Sequence, residues 1–125
     1  MNSVRALYLL IKASHPEIAK LADKFHHRRW GATLEEDFEY AWFEALADAL
    51  NEQMRMSVSA EQHANLLQTI ASAFGSGDRA VKECVDVSFI ENLFWQVPDR
   101  LAQAYWHQMP KPLAELYLTF HGKQP

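Results

Sequence analysis

An all-α fold is predicted for this sequence, as one compact domain over residues 1–125 with about six or seven helices packed as antiparallel pairs. Three observations predict it. Helix-starting and helix-stopping residues recur at helix-length intervals along the chain. Apolar residues between them step by three and four rather than by two. The one β-branched cluster, Val81 to Val87, is interrupted by Lys82, Glu83 and Asp86 and itself follows helical spacing.

The elements follow in order. A first helix is expected to stop near Ala13, because Ser14-His15-Pro16-Glu17 reads as a capping box with proline in the first turn of a second helix. Gly31 ends that second helix. Thr33 is expected to cap the third, with Glu36 reaching back to it. This third helix should run from about Leu34 to Met54, with Leu34, Phe38, Ala41, Trp42, Ala45, Leu46, Ala49 and Leu50 on its core face. Ser59-Ala60-Glu61-Gln62 is another box, whose helix should reach about Phe74 before Gly75-Ser76-Gly77 breaks it. Asp78 offers the next N-cap, and Val81, Cys84, Val85, Ser88, Phe89 and Asn92 or Leu93 continue the apolar spacing. Pro98 suits a first turn, with Asp99 at the positive end of the helix dipole. Pro110 and Pro112 precede a last short helix that Gly122 closes.

Composition bounds what such a fold can do. Of 125 residues 49% are apolar, with four Trp, four Tyr and seven Phe, which supplies the volume of a real core and excludes a disordered chain. The single cysteine, Cys84, cannot form an internal disulfide or a multi-cysteine zinc site. The apolar stretch Ala6–Ile11 is short for a secretory signal, and no run approaches the roughly 18 apolar residues of a membrane span. A cytoplasmic protein with no membrane partner is the expectation.

The net charge of −4 argues against general binding to a phosphate backbone. Its layout is uneven. In residues 1–29, Arg5, Lys12, Lys20, Lys24, Arg28 and Arg29 stand against Glu17 and Asp23, a balance of +4. Residues 30–54 carry Glu35, Glu36, Asp37, Glu39, Glu44, Asp48 and Glu52 with no Lys or Arg, a balance of −7.

On the long acidic helix, Asp37, Glu44 and Asp48 form a stripe beside the core face, extended by Glu52. Like charges four residues apart destabilise an isolated helix by a few tenths of a kcal/mol per pair, roughly, so local helix stability does not explain them. Two readings stand. One is a solvated face balanced by the basic N-terminal helices. The other is an acidic docking surface for a basic partner, with Glu36, Asp37, Tyr40, Phe43, Glu44, Asp48 and Glu52 as the contact residues. Tyr40 and Phe43 lie largely opposite the core face, where they either anchor that interface or pack on a further helix if this one is central.

The opposite pole is Lys24-Phe25-His26-His27-Arg28-Arg29-Trp30. Adjacent histidines diverge by about 100° on a helix, so His26 and His27 do not readily chelate one ion. A cationic helix end favoured by the dipole accounts for the segment. Cys84 lies on the apolar side of its helix, where a small buried thiol is expected. No phosphate-binding loop, Glu-x2-His pair or His-Glu-x2-His motif is present in the chain. No catalytic residue, metal or cofactor is therefore expected, and the protein is not expected to be an enzyme.

The segment Gly77-Asp78-Arg79-Ala80-Val81, continuing through Val85-Asp86-Val87-Ser88-Phe89-Ile90-Glu91-Asn92-Leu93, resembles a pattern in small acidic all-helical bacterial proteins. Some of those are similar to cognate immunity proteins of polymorphic or contact-dependent toxins. The resemblance implies a binding role, with no catalytic residues to carry over and Glu91 salt-bridged or structural at a helix junction. The expected function is thus an immunity protein that neutralises a toxin, or another basic protein, through the acidic face. The alternatives are a nucleic-acid-binding regulator using residues 24–30, an assignment the net charge disfavours, and a metal-dependent enzyme. A homodimer joining the +4 and −7 segments is also open.

Overall fold

The computed structural model describes residues 2–31 and 38–125. Among these there are seven α-helices and no strand, as expected of an all-α chain. None of the helices is long and apolar enough to cross a membrane.

Helix α1 (Ser3–Ser14) starts where the Asn2 side chain accepts from the Arg5 amide at 2.7 Å, and it buries Val4, Leu7 and Ile11 at three- and four-residue steps. Helix α2 (Pro16–Trp30) follows after one residue. The capping box expected at Ser14 does not form: Ser14 is the last residue of α1, and His15 takes the cap position with no side-chain bond. The reason is economy of chain. His15 donates its amide to the Ile11 carbonyl at 2.7 Å while its own carbonyl accepts from Ala19 at 3.1 Å, closing one helix and opening the next. Gly31 ends α2 at φ 80°, a conformation that glycine adopts without a Cβ clash. Thr33, Leu34 and Glu36, expected at the start of the next helix, lie outside the described residues.

Helix α3 (Glu39–Arg55) is the centre of the molecule. It forms the most extensive helix pair with α2 and also contacts α1, α6 and the segment after α5. Trp42, Ala45, Leu46, Ala49 and Leu50 are buried, as their spacing predicts. So are Phe43, Ala47, Asn51 and Met54, which lie outside that stripe. Burial that spreads beyond one stripe reflects neighbours on several sides of the helix. Phe43 is 0% exposed and meets Trp42 edge-to-face at 5.3 Å, so of its two expected roles it takes the packed one, and its place among the partner-contact residues is corrected. Glu39, 1% exposed, is ion-paired with Arg5 of α1.

Ser59 accepts from the Glu61 amide, but the turn it opens is a 3-10 turn, Ala60–His63, that leads into α4 (Ala64–Ser76). Asp78 caps α5 (Arg79–Glu83): its Oδ1 accepts from the Val81 amide at 3.0 Å, and its Oδ2 accepts from the Ser3 hydroxyl at 2.7 Å. Gly77 is required before it, since a Cβ there would lie 2.4 Å from the Ala73 carbonyl oxygen. Beyond α5 the chain winds as a π-helical segment, Cys84–Phe89, and a 3-10 turn, Ile90–Asn92. Cys84, Val85, Ser88 and Phe89 are buried there, and the π segment packs on α3. Burial pushes the Cys84 thiol up to about 12, which keeps it protonated and unreactive. Helices α6 (Asp99–Gln108) and α7 (Lys111–His121) complete the fold, and Gly122 stops α7 in the left-handed region.

Candidate functional site

The acidic stripe and the basic segment meet in the structure, as the first of the two readings of the stripe expected. Arg29 near the end of α2 donates from Nη2 to Asp48 Oδ2 at 2.8 Å, and its Nη1 lies 3.8 Å from Glu44 Oε2. Much of the charge that the sequence left uncompensated is therefore answered by the same chain. Asp48 is half-buried, and that burial raises its pKa against the opposing pull of Arg29 and Arg55. Glu52 is half-buried and Tyr40 exposed, whereas Glu36 and Asp37 lie outside the described residues. Of the seven contact residues expected, Glu44 and Asp48 are brought together on one guanidinium and Phe43 is withdrawn into the core. The acidic face expected on α3 is thus partly paired within the chain, at Glu44 and Asp48.

What Arg29 and Asp48 help to build is a cleft of about 370 Å3 between α2, α3 and the loop that follows Asn92. Phe25, Arg28 and Arg29 come from α2, and Asp48, Asn51 and Arg55 from α3. Trp95 and Gln96 close the third side. Helical spacing explains the first two sets: 28 and 29 lie three and four residues from 25, and 48, 51 and 55 step by three and four, so each set shares a face.

The third side depends on one buried amide. Asn51, 1% exposed, donates from Nδ2 to the Asn92 carbonyl at 2.9 Å and accepts at Oδ1 from the Phe94 amide at 2.7 Å. Arg55 adds a longer bond, from Nη1 to the Trp95 carbonyl at 3.4 Å. These contacts hold a loop in which Phe94 (φ 69°) and Gln96 (φ 54°) are both left-handed. Such a conformation is uncommon for non-glycine residues and costs on the order of 1–3 kcal/mol each. The result is an alternation: Leu93 and Phe94 point into the core, where Phe94 packs edge-on to Tyr117 at 5.3 Å, and Trp95 between the two strained residues is 65% exposed.

Three guanidiniums against one carboxylate leave the cleft lining cationic by two charges. Arg28 lies over the Phe25 ring at 5.2 Å, and neither Arg28 nor Arg55 has a carboxylate within ion-pair distance among the described residues. His26 and His27 diverge as the helix requires. His26 is buried with its pKa lowered by burial, its Nδ1 making no hydrogen bond among the described residues, whereas His27 is exposed. Among the described residues no three His, Cys, Asp or Glu side chains converge as metal ligands would.

The sequence reading had Arg28 and Arg29 as a cationic helix end, or as the basic element of a nucleic-acid-binding regulator, and passed over Asn51, Arg55 and Trp95. One signal was present: Leu93-Phe94-Trp95-Gln96-Val97-Pro98 crowds two large aromatics into a short link before a helix-starting proline, where both rarely find core.

Among curated proteins and among solved structures, none matches this chain. Residues 8–122, nearly the whole length, match the family described as a domain of unknown function, DUF7674, and the chain belongs to that family.

Proposed function

We propose that the protein acts by binding another protein through the Trp95 cleft, and not by catalysing a reaction. The observation that carries this reading is Trp95 itself, two-thirds exposed on a loop whose backbone is pinned from α3. A free tryptophan surface of this size is unfavourable in water, and a held loop does not let it fold inward. Tryptophan and arginine are the residue types most enriched where interfaces gain their affinity, and here they adjoin. A rigid loop also loses little conformational freedom on association.

An immunity role, in which the bound protein is a cognate toxin held inactive, is the specific form of this proposal. It rests on the short resemblance around Gly77–Leu93 and on the binding character of the cleft. In this form the contact moves from the acidic stripe of α3 to the loop beside it. The test is site-specific photo-cross-linking from position 95 in cells, with position 120 as control, since Phe120 is also largely exposed and lies on α7, which does not line the cleft. A discrete protein adduct from 95 alone is expected. The purified partner should then bind the Trp95→Ala variant at least about tenfold more weakly. An adduct of the chain with itself would make the partner a second copy. Equal affinity of wild type and variant would overturn the proposal.

A further inference from the structure

We infer that the cleft takes an acidic segment of its protein partner, with carboxylates on Arg28 and Arg55 and an apolar neighbour covering Trp95; this rests on the docking role proposed above. Asp48 already displays the chemistry. Its carboxylate sits within the cleft lining against Arg29, in a position desolvated enough to oppose its ionisation. A guanidinium on this wall thus binds a carboxylate, and of the other two, Arg55 feels Asp48 only from beyond ion-pair distance and Arg28 has no carboxylate at that distance among the described residues. Arg28 is held over the Phe25 ring and Arg55 is steadied by the Trp95 carbonyl, so both are oriented before a ligand arrives.

The same residue types also suit single-stranded nucleic acid, through stacking and phosphate contact. Two features favour protein. The cleft lining itself carries the carboxylate of Asp48, and α3 bears Glu44 and Glu52 beside it. A phosphate backbone carries a charge at every nucleotide and would run onto those carboxylates, whereas a peptide places its carboxylates where the arginines are and neutral residues elsewhere. The chain as a whole is also acidic, at −4.

The probe is a dodecapeptide alternating Asp or Glu with Leu and Phe, set against its Asn/Gln twin and against an oligothymidylate of equal length. Binding is read from the tryptophan emission that Trp95→Phe removes. The acidic peptide is expected to saturate the signal, to bind at least about tenfold more tightly than its amide twin, and to weaken with salt. Arg28→Gln with Arg55→Gln should erase that preference while the helical circular-dichroism spectrum is unchanged, since both side chains are exposed and the Asn51 bonds still hold the loop. Asp48→Asn should strengthen binding by releasing Arg29, a gain that structural damage would not produce. Equal binding of the two peptides, or tighter binding of the oligonucleotide, overturns the acidic-segment inference. If the cross-linked partner still requires Trp95 but ignores the arginine substitutions, the docking role stands and this inference falls. If it ignores both, both fall.

Discussion

Phe43 and Trp95 are large aromatic side chains on elements that touch, and they end in opposite environments. Phe43 sits on α3, which is covered on several sides, and it is wholly buried although it falls off the expected apolar stripe. Trp95 sits between buried Phe94 and the last helices, close to core, and is nevertheless held outward. On α3, burial is decided by how many neighbours surround the helix. At Trp95, exposure is decided by backbone conformation, which Asn51 fixes from across the sequence. The recognition surface proposed here lies where the backbone is strained, and not where the sequence concentrates its charge.

The largest effect should come from breaking the buried side of this comparison. Phe43→Ala is expected to lose about 3–5 kcal/mol of stability, read from urea unfolding. A loss under about 1 kcal/mol would show that α3 is not enclosed there. Asn51→Ala should cost roughly 2–3 kcal/mol, because two loop groups lose their partner and one is buried. It should also speed hydrogen exchange at the Phe94 amide; unchanged protection would mean that the loop holds its shape unaided.

The dependence on pH separates the interior from the cleft in another way. Burial lowers the pKa of His15, His26 and His63 below the ordinary 6.5. The unfolded chain therefore takes up these protons first as the pH falls through about 6.5, and stability declines from there down to the folded-state pKa values. Above that range the three rings are neutral in both states and contribute no slope. His63, whose Nε2 lies 3.1 Å from Gln53 Oε1, is the clearest case, and His63→Gln should flatten the decline. A variant that kept the full slope would remove His63 as a cause. The smallest effect belongs to Trp95→Ala, which should change stability by no more than about 0.5 kcal/mol because the side chain is mostly in water. A large loss would mean that Trp95 serves the fold.

Much of the fold was legible because its signals are local. Gly31 and Gly122 stop helices, Asp78 starts one, and the spacing from Val81 to Phe89 marks what is buried. The π winding over Cys84–Phe89 left no trace, since alternating three- and four-residue steps suit an α-helix as well. The box at Ser14 misled because the backbone bonds of His15 leave the serine inside α1. The site was the least legible part. Asp48 and Glu44 find Arg29 only through the packing of α2 on α3. The left-handed residues Phe94 and Gln96 are not the glycines or asparagines that announce such a conformation, and the amide that holds them is 43 positions from Phe94.

The central claim is that Trp95 is presented for a partner and does nothing for the fold. Affinity for the protein cross-linked at position 95, compared between wild type and Trp95→Ala at matched stability, tests it most directly. The account predicts a loss of at least about tenfold with the unfolding midpoint unchanged. Equal affinity, or a loss that merely follows a fall in stability, would contradict it.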